Sequence, residues 1–212
     1  MVPYLRTVQI ERRIQRLWSQ RSLQVRFDVE RLLDDLDIGL LWIPLEPQDG
    51  LVVAAELVPG IRKVCVNESL LALFEHNPPL LRFTLCHEIG HWELHAAQIA
   101  SGAIAEARAE GSRLSCRQAD LEAPALAAAF RLEYQANLFA SHLIAPDAIL
   151  REELGRHGCD GWRATNNLAR ALGISPTAML VRLLQDGLAH RDADGSPRPG
   201  PGVADEQASL GL

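Results

Sequence analysis

Apolar residues in TVQIERRIQRLWSQRS (residues 7–22) recur at helical spacing, with Ile10, Ile14, Leu17 and Trp18 on one face and Arg and Glu on the other. A second amphipathic helix is predicted in FDVERLLDDLDI, with Asp28 as N-cap and Val29, Leu32, Leu33 and Leu36 on one face. The period then changes. IGLLWIPLE and LVVAAELVPG are short apolar runs ended by Pro or Gly, and IRKVCVNE alternates, so three strands are predicted at roughly 38–45, 51–58 and 61–67. PGIRK is read as the turn between the second and third. ESLLALFEH forms a helix or turn broken by NPP, and Leu80 to His95 reads as a strong helix. Residues 96–123, rich in Ala and small polar residues, fit a frayed helix, a loop or a lid equally well. PALAAAFRLEYQANLFASHLI is helical until APD stops it, with Pro146 at or just past its end. DGWRATNNLARALGISPTAMLVRLLQDGL reads as two helices joined at GIS, with Ser175 as N-cap and Pro176 in the first helical position. Residues 191–212 are Pro- and Gly-rich with little to bury, which predicts a disordered tail. The pattern divides the chain into residues 1–150, a helical subdomain at 151–190 expected to pack on them, and this tail.

Composition narrows the class. A chain of 212 residues supports one sizeable core, or a core plus a small appendage, and 48% hydrophobic with 23% charged residues is ordinary for a soluble globular protein. Cys65, Cys86, Cys116 and Cys159 show no CxxC and no dense spacing, so free thiols and a cytoplasmic location are expected. The N-terminal stretch carries charge where a signal peptide needs an apolar core, and no run of about 18 apolar residues predicts a membrane span. The net charge of −6 argues against a dedicated nucleic-acid binder. Lys63 is the only lysine; with the many alanines, this points to a GC-rich genome more than to phosphate chemistry.

The chemistry concentrates in RFTLCHEIGHWELH, residues 82–95. His87 and His91 stand four apart, so on a helix both imidazoles reach one ion. Glu88 is rotated by about 100° and can approach a water on that ion without being a ligand. This is the H-E-x-x-H arrangement of zinc hydrolases, in which the two His bind Zn²⁺ and the Glu takes a proton from the water. Phe83, Leu85, Ile89 and Leu94 make the segment too apolar for an exposed helix, so the histidines should be at least partly buried. Gly90 costs about 1 kcal/mol of helix propensity, which suggests close approach by a neighbouring backbone. Glu93 is expected to face solvent. A third ligand is required. Glu133 in RLEYQANLFASHLIAP is the best candidate, with Asn137 one turn later placed to hydrogen-bond the free ring nitrogen of a ligand His. His95, which continues the i+4 series, is the other candidate, better suited to a supporting role.

These two motifs together resemble the ImmA/IrrE family of zinc metallopeptidases, which are similar to thermolysin-like gluzincins. The matching positions are His87, Glu88, Gly90, His91, Leu94 and His95, then Glu133, Ala136, Asn137, Phe139, Ala140, Leu143 and Pro146. Upstream VCVN and downstream LARALGISPTAMLVRLLQDGL also fit, so the resemblance spans about residues 27–190. Cys86 stands where Ala is usual and LIAP replaces LLMP. The gap from His91 to Glu133 is long, so the intervening segment is read as an elaboration of this pattern, and its Cys116 is either a thiol near the metal or a free thiol.

The expected fold is α+β: a small, mostly antiparallel three-stranded sheet packed on the H-E-x-x-H helix and the Glu-bearing helix, with a C-terminal pair of helix-turn-helix type. The resemblance implies a zinc-dependent endopeptidase, with Mn²⁺ as an alternative ion, whose protein partner is a helix-turn-helix transcriptional repressor of a stress response or mobile element. An extended substrate would lie along a sheet edge, for which Val64, Val66 and Asn67 are candidates if their strand is not paired on both sides. Tyr134, His142 and Arg117 are possible oxyanion donors. The competing reading is a DNA-binding or scaffold regulator with a structural metal site. LARALGISPTAMLVRLL has helix-turn-helix spacing, but only Thr177, Arg182 and Gln185 on its second helix could read bases.

Overall fold

The computed structural model describes residues 5–47, 52–100 and 124–201. The chain divides into two compact units, Met1–Leu143 and Ile144–Leu212. The boundary expected at residue 150 falls inside a helix that belongs wholly to the second unit. Cys116, Arg117 and the 101–123 stretch lie outside the described residues.

The first unit opens with α1 (Thr7–Gln20), whose Ile10, Ile14 and Leu17 are buried as the periodicity predicts. The indole N–H of Trp18 donates to the Leu143 carbonyl at 3.0 Å, tying α1 to a distant helix end. Helix α2 (Val29–Asp35) is capped by Asp28, whose carboxylate accepts from the Glu30 and Arg31 amides. Three strands follow: β1 (Gly39–Ile43), β2 (Ala55–Val58) and β3 (Lys63–Asn67). A single 3₁₀ turn at Pro59–Ile61, closed by Arg62 in the left-handed region at φ 52°, joins β2 to β3.

The sheet departs from expectation in two ways. Its order is β1-β3-β2, with β1 parallel and β2 antiparallel to β3, so it is mixed and not mostly antiparallel. The tight turn makes β2 and β3 a hairpin, but the link from β1 to β2 is too long for one, and β1 instead joins the far side of β3. Strand β3 is therefore central. Val64, Val66 and Asn67 do not form a substrate edge; their backbone is paired on both sides and their side chains are buried. Asn67 spends its side chain on the fold, with Nδ2 donating to the Val53 carbonyl at 2.8 Å and Oδ1 accepting from the Ser69 amide at 3.1 Å.

After α3 (Leu71–His76) comes α4 (Pro78–Ala100), the helix around which the unit is built. Pro78 and Pro79 start it instead of breaking the chain, as proline at the first helical position allows. Every residue from Thr84 to His91 is buried, which explains why this helix shows no simple apolar stripe. It packs against α2, α3 and β2. Helix α5 (Pro124–Ile144) completes the unit, burying Leu132, Gln135, Ala136, Phe139, Ala140 and Leu143 at helical spacing.

The second unit contains α6 (Asp147–His157), α7 (Gly161–Leu172) and α8 (Pro176–Gln185). The last two are joined across Gly173, at φ 70°, and Ser175, which accepts from the Ala178 amide. The tail expected to be disordered from residue 191 forms, as far as Pro199, a hairpin of β4 (Ala189–Arg191) and β5 (Pro197–Pro199). Gly195 at φ 81° turns it, and Arg198 pins it to Asp160 and Asp192.

Arg182 is no base reader. Its side chain is 2% exposed, donating to Asp186 at 2.6 Å, to the Ala145 carbonyl at 3.1 Å and to Asp147. Arg182→Ala is expected to cost about 3 kcal/mol, the low end for breaking a buried ion pair, because Asp147 is more than half exposed and regains water. Arg182→Met keeps the bulk and should cost less. Denaturant midpoints of the two variants test this.

Candidate metal centre

His87 and His91 project one turn apart from α4, and Glu133 faces them from α5. His87 Nε2 lies 3.0 Å from His91 Nε2. The Glu133 carboxylate places Oε2 3.1 Å from His87 Nε2 and Oε1 3.2 Å from His91 Nε2. Both histidines are buried, while Glu133 keeps partial solvent access, leaving an approach for a small molecule.

Outer hydrogen bonds set the ring tautomers. His87 Nδ1 is 2.9 Å from Asn137 Oδ1, an oxygen that only accepts, so the proton sits on Nδ1 and Nε2 offers a lone pair. His91 Nδ1 contacts His95 Nδ1 at 3.1 Å, and His95 Nε2 contacts Gln135 Oε1 at 3.0 Å. Burial, followed by the neighbouring His91, pushes the His95 pKa down to about 4, so this ring is neutral at physiological pH.

Two imidazole lone pairs and a carboxylate thus converge within hydrogen-bond distance, with no donor among the three. Such an arrangement calls for a cation. The spacing fits one: a tetrahedral ion with Zn–N and Zn–O bonds of about 2.0–2.1 Å sets its ligand atoms about 3.3 Å apart. Glu133 Oε2, buried and without a hydrogen-bond donor, is the acceptor such an ion would satisfy. Among the described residues, His87, His91 and Glu133 form a group able to hold a metal.

In the metal-free protein a proton competes for this place. Burial favours neutral His87, but a protonated ring would donate from Nε2 to Glu133, and that hydrogen bond and the carboxylate's charge outweigh burial and hold the pKa above its ordinary value. Burial likewise disfavours the Glu133 anion, yet the two histidines hold its carboxyl far below the usual range. Metal uptake should therefore displace a proton from His87. Affinity is expected to be full above the raised His87 pKa and to fall as pH drops through it, by about tenfold per unit for one displaced proton. Calorimetry in buffers of different ionisation enthalpy reads the released proton directly.

Glu88 follows His87 on α4 and is 1% exposed. Its carboxylate is not part of the His87, His91 and Glu133 group. Its charge reaches Cys65 on β3, whose thiol pKa is raised by burial, then by Glu56, with Glu88 contributing. Gly90 lets α5 come close: a Cβ there would meet Ala136 Cα, the Ala136 carbonyl and Phe139 Cβ, each at 3.2 Å.

Other expectations fare differently. Tyr134, 46% exposed, is turned about 100° from Glu133 around α5 and is not gathered into the site. His142 stands nine residues beyond Glu133, about 180° round the helix and about 13 Å along it. It lies near Glu11 of α1 instead, so neither residue is placed as an oxyanion donor. Glu93 is half-buried, not solvent-facing; its carbonyl accepts from Arg13, and burial raises its carboxyl pKa against the pull of Arg13, Arg16 and Arg21. Gln135 was not anticipated. The available signal was a polar residue set within the apolar stripe of α5.

The α+β frame, the histidine pair on one helix and the carboxylate on a second make a centre able to hold a metal ion. The model of the Peptidase_M78 family, described as the IrrE N-terminal-like domain, matches residues 70–184, more than half of the chain. The chain belongs to this ImmA/IrrE family of metallopeptidases. A search of curated proteins returned no match.

Proposed function

We propose that the chain is a zinc-dependent endopeptidase that cleaves a regulatory protein, a helix-turn-helix repressor, and so relieves repression in a stress response or mobile element. The observation that carries the peptidase reading is the convergence of His87 Nε2, His91 Nε2 and the Glu133 carboxylate beside buried Glu88. Two His and one Glu suit Zn²⁺, with Mn²⁺ as a lesser candidate. When bound, the ion supplies Lewis acidity that lowers the pKa of water and polarises the scissile carbonyl.

The chain's own groups do the rest. Asn137 holds the His87 ring. Glu88 takes a proton from the attacking water and delivers it to the leaving amine. For the substrate, the sheet edge now favoured is β2, which packs on α4 and pairs with β3 on one side only among the described residues. An extended peptide adding to that edge would run beside the active helix. Cys65, Cys86 and Cys159 are free thiols, as a reducing compartment such as the cytoplasm would keep them; among the described residues no helix is long and apolar enough to cross a membrane.

The DNA-binding alternative loses support. Burial of Arg182 leaves α8 with exposed Thr177, Val181 and Gln185, none of them a cation that could pair with phosphate. The test is incubation of candidate repressors with the wild-type chain and Glu88→Gln, each with Zn²⁺ or Mn²⁺, read by intact mass. Two fragments summing to the repressor plus one water, formed only by wild type, are expected. Equal repressor loss with both proteins would sink the mechanism.

A further inference from the structure

We propose that Gln135 and His95 form an outer arm that holds His91 in the one tautomer able to present Nε2 to a metal ion. Both would then be positioning residues of the centre. The inference rests on the metal reading above and extends it to residues outside the ligand set.

The argument is one of proton placement along three buried groups. Gln135 and His95 are each 1% exposed and His91 is 8% exposed, so water does not compete for their polar atoms. Gln135 turns its carbonyl oxygen to His95 Nε2 at 3.0 Å. An amide oxygen only accepts, so His95 Nε2 carries the ring's single proton and His95 Nδ1 is a lone pair. That lone pair faces His91 Nδ1 at 3.1 Å, so His91 Nδ1 must donate. His91 Nε2 is then a lone pair, pointed at His87 Nε2 and Glu133. Turning the Gln135 amide over would reverse every bond in the arm. It would put a proton on His91 Nε2, where a ligand atom is needed.

The cost of the arrangement supports a functional origin. Gln135 Nε2 is buried without an acceptor. Such a group is unfavourable, and its position within the apolar stripe Leu132, Ala136, Phe139, Ala140 and Leu143 would accept an aliphatic side chain. Packing alone therefore favours Leu at 135. The carbonyl oxygen, engaged by His95, is what Leu would lack. His87 is oriented by one bond to Asn137, whereas His91 needs two steps because its outward nitrogen meets a second imidazole.

The test uses the full chain, with zinc affinity measured by competition against a chromophoric chelator and unfolding followed on the metal-free protein. Gln135→Leu is expected to weaken zinc binding by at least about tenfold, the usual consequence of losing an orienting partner. Its metal-free melting temperature should match or exceed that of wild type, since the unpartnered donor is gone. Gln135→Glu keeps an acceptor facing His95 and should bind zinc within about threefold of wild type. A merely structural role predicts the reverse, with Leu harmless and Glu damaging. His95→Phe should behave as Gln135→Leu does; if it fails to fold, the Gln135 pair decides alone. Wild-type zinc affinity in Gln135→Leu overturns the inference while leaving the metal centre intact. Failure of the wild-type chain to bind one zinc, with His91→Ala no different, overturns the metal reading and the inference with it.

Discussion

Glu88→Gln is expected to lower peptide cleavage by about 10³-fold or more while leaving metal content unchanged. Amide and carboxylate have the same shape, so the substitution keeps the packing of a side chain that is 1% exposed in the centre of α4. What it removes is a proton acceptor. General-base assistance contributes about 10²–10⁴-fold, and in the proposed mechanism the same group would also protonate the leaving amine, which places the expected loss toward the upper end. Zinc affinity should stay near wild type, because the group able to hold the ion is His87, His91 and Glu133 and does not include Glu88. Measuring both quantities on one preparation separates a lost base from a lost metal. Wild-type turnover in a zinc-replete variant would remove Glu88 from the mechanism; parallel loss of turnover and zinc would make it a structural member of the site.

The centre was legible because its logic is local. His87 and His91 are one helical turn apart, as are Glu133 and Asn137, and helical spacing alone puts each pair on one face. The same reasoning anticipated Asp28 and Ser175 as caps and the buried stripe of α1. Sheet order is different in kind. A tight turn between β2 and β3 shows in PGIRK, but nothing local tells which side of β3 receives β1. The edge assigned to Val64–Asn67 failed on that point. Helix α6 went unread because its charged sequence offers little beyond Leu150 and Leu154 to mark a buried face. The β4–β5 hairpin was hidden by its Pro and Gly content, and its anchor, Arg198 on Asp160, joins residues far apart in sequence. Arg182 looked like a surface cation because its partners are Ala145, just past α5, Asp147 at the start of α6 and Asp186, just past α8. Gln135 gives a subtler signal than a charged residue does: a neutral amide placed among Leu, Ala and Phe is itself the anomaly.

Gly90→Val should cost about 3 kcal/mol of stability, near the top of the overpacking range, and should weaken zinc binding at the same time. The glycine is where α5 rests on α4, and the three atoms a Cβ would meet at 3.2 Å include two of the Ala136 backbone, which cannot rotate away. The helices must part. Ala136 lies three residues beyond Glu133 on the same rigid helix, so any displacement carries the Glu133 carboxylate away from the histidines. Ligand distances tolerate only about 0.2 Å before a site loses its geometry. Gly90→Ala separates the two effects. Its methyl group gains about 1 kcal/mol of helix propensity, which offsets much of the crowding, so the fold should be nearly as stable as wild type. The few tenths of an ångström by which α5 must yield are nevertheless enough to disturb the ligands. Thermal unfolding of the metal-free proteins, paired with chelator competition, should therefore rank wild type and Gly90→Ala together in stability but apart in zinc affinity, with Gly90→Val below both on each scale. Wild-type zinc affinity in Gly90→Val would mean that α5 does not ride on Gly90, and that the glycine serves neither the helix crossing nor the placement of Glu133.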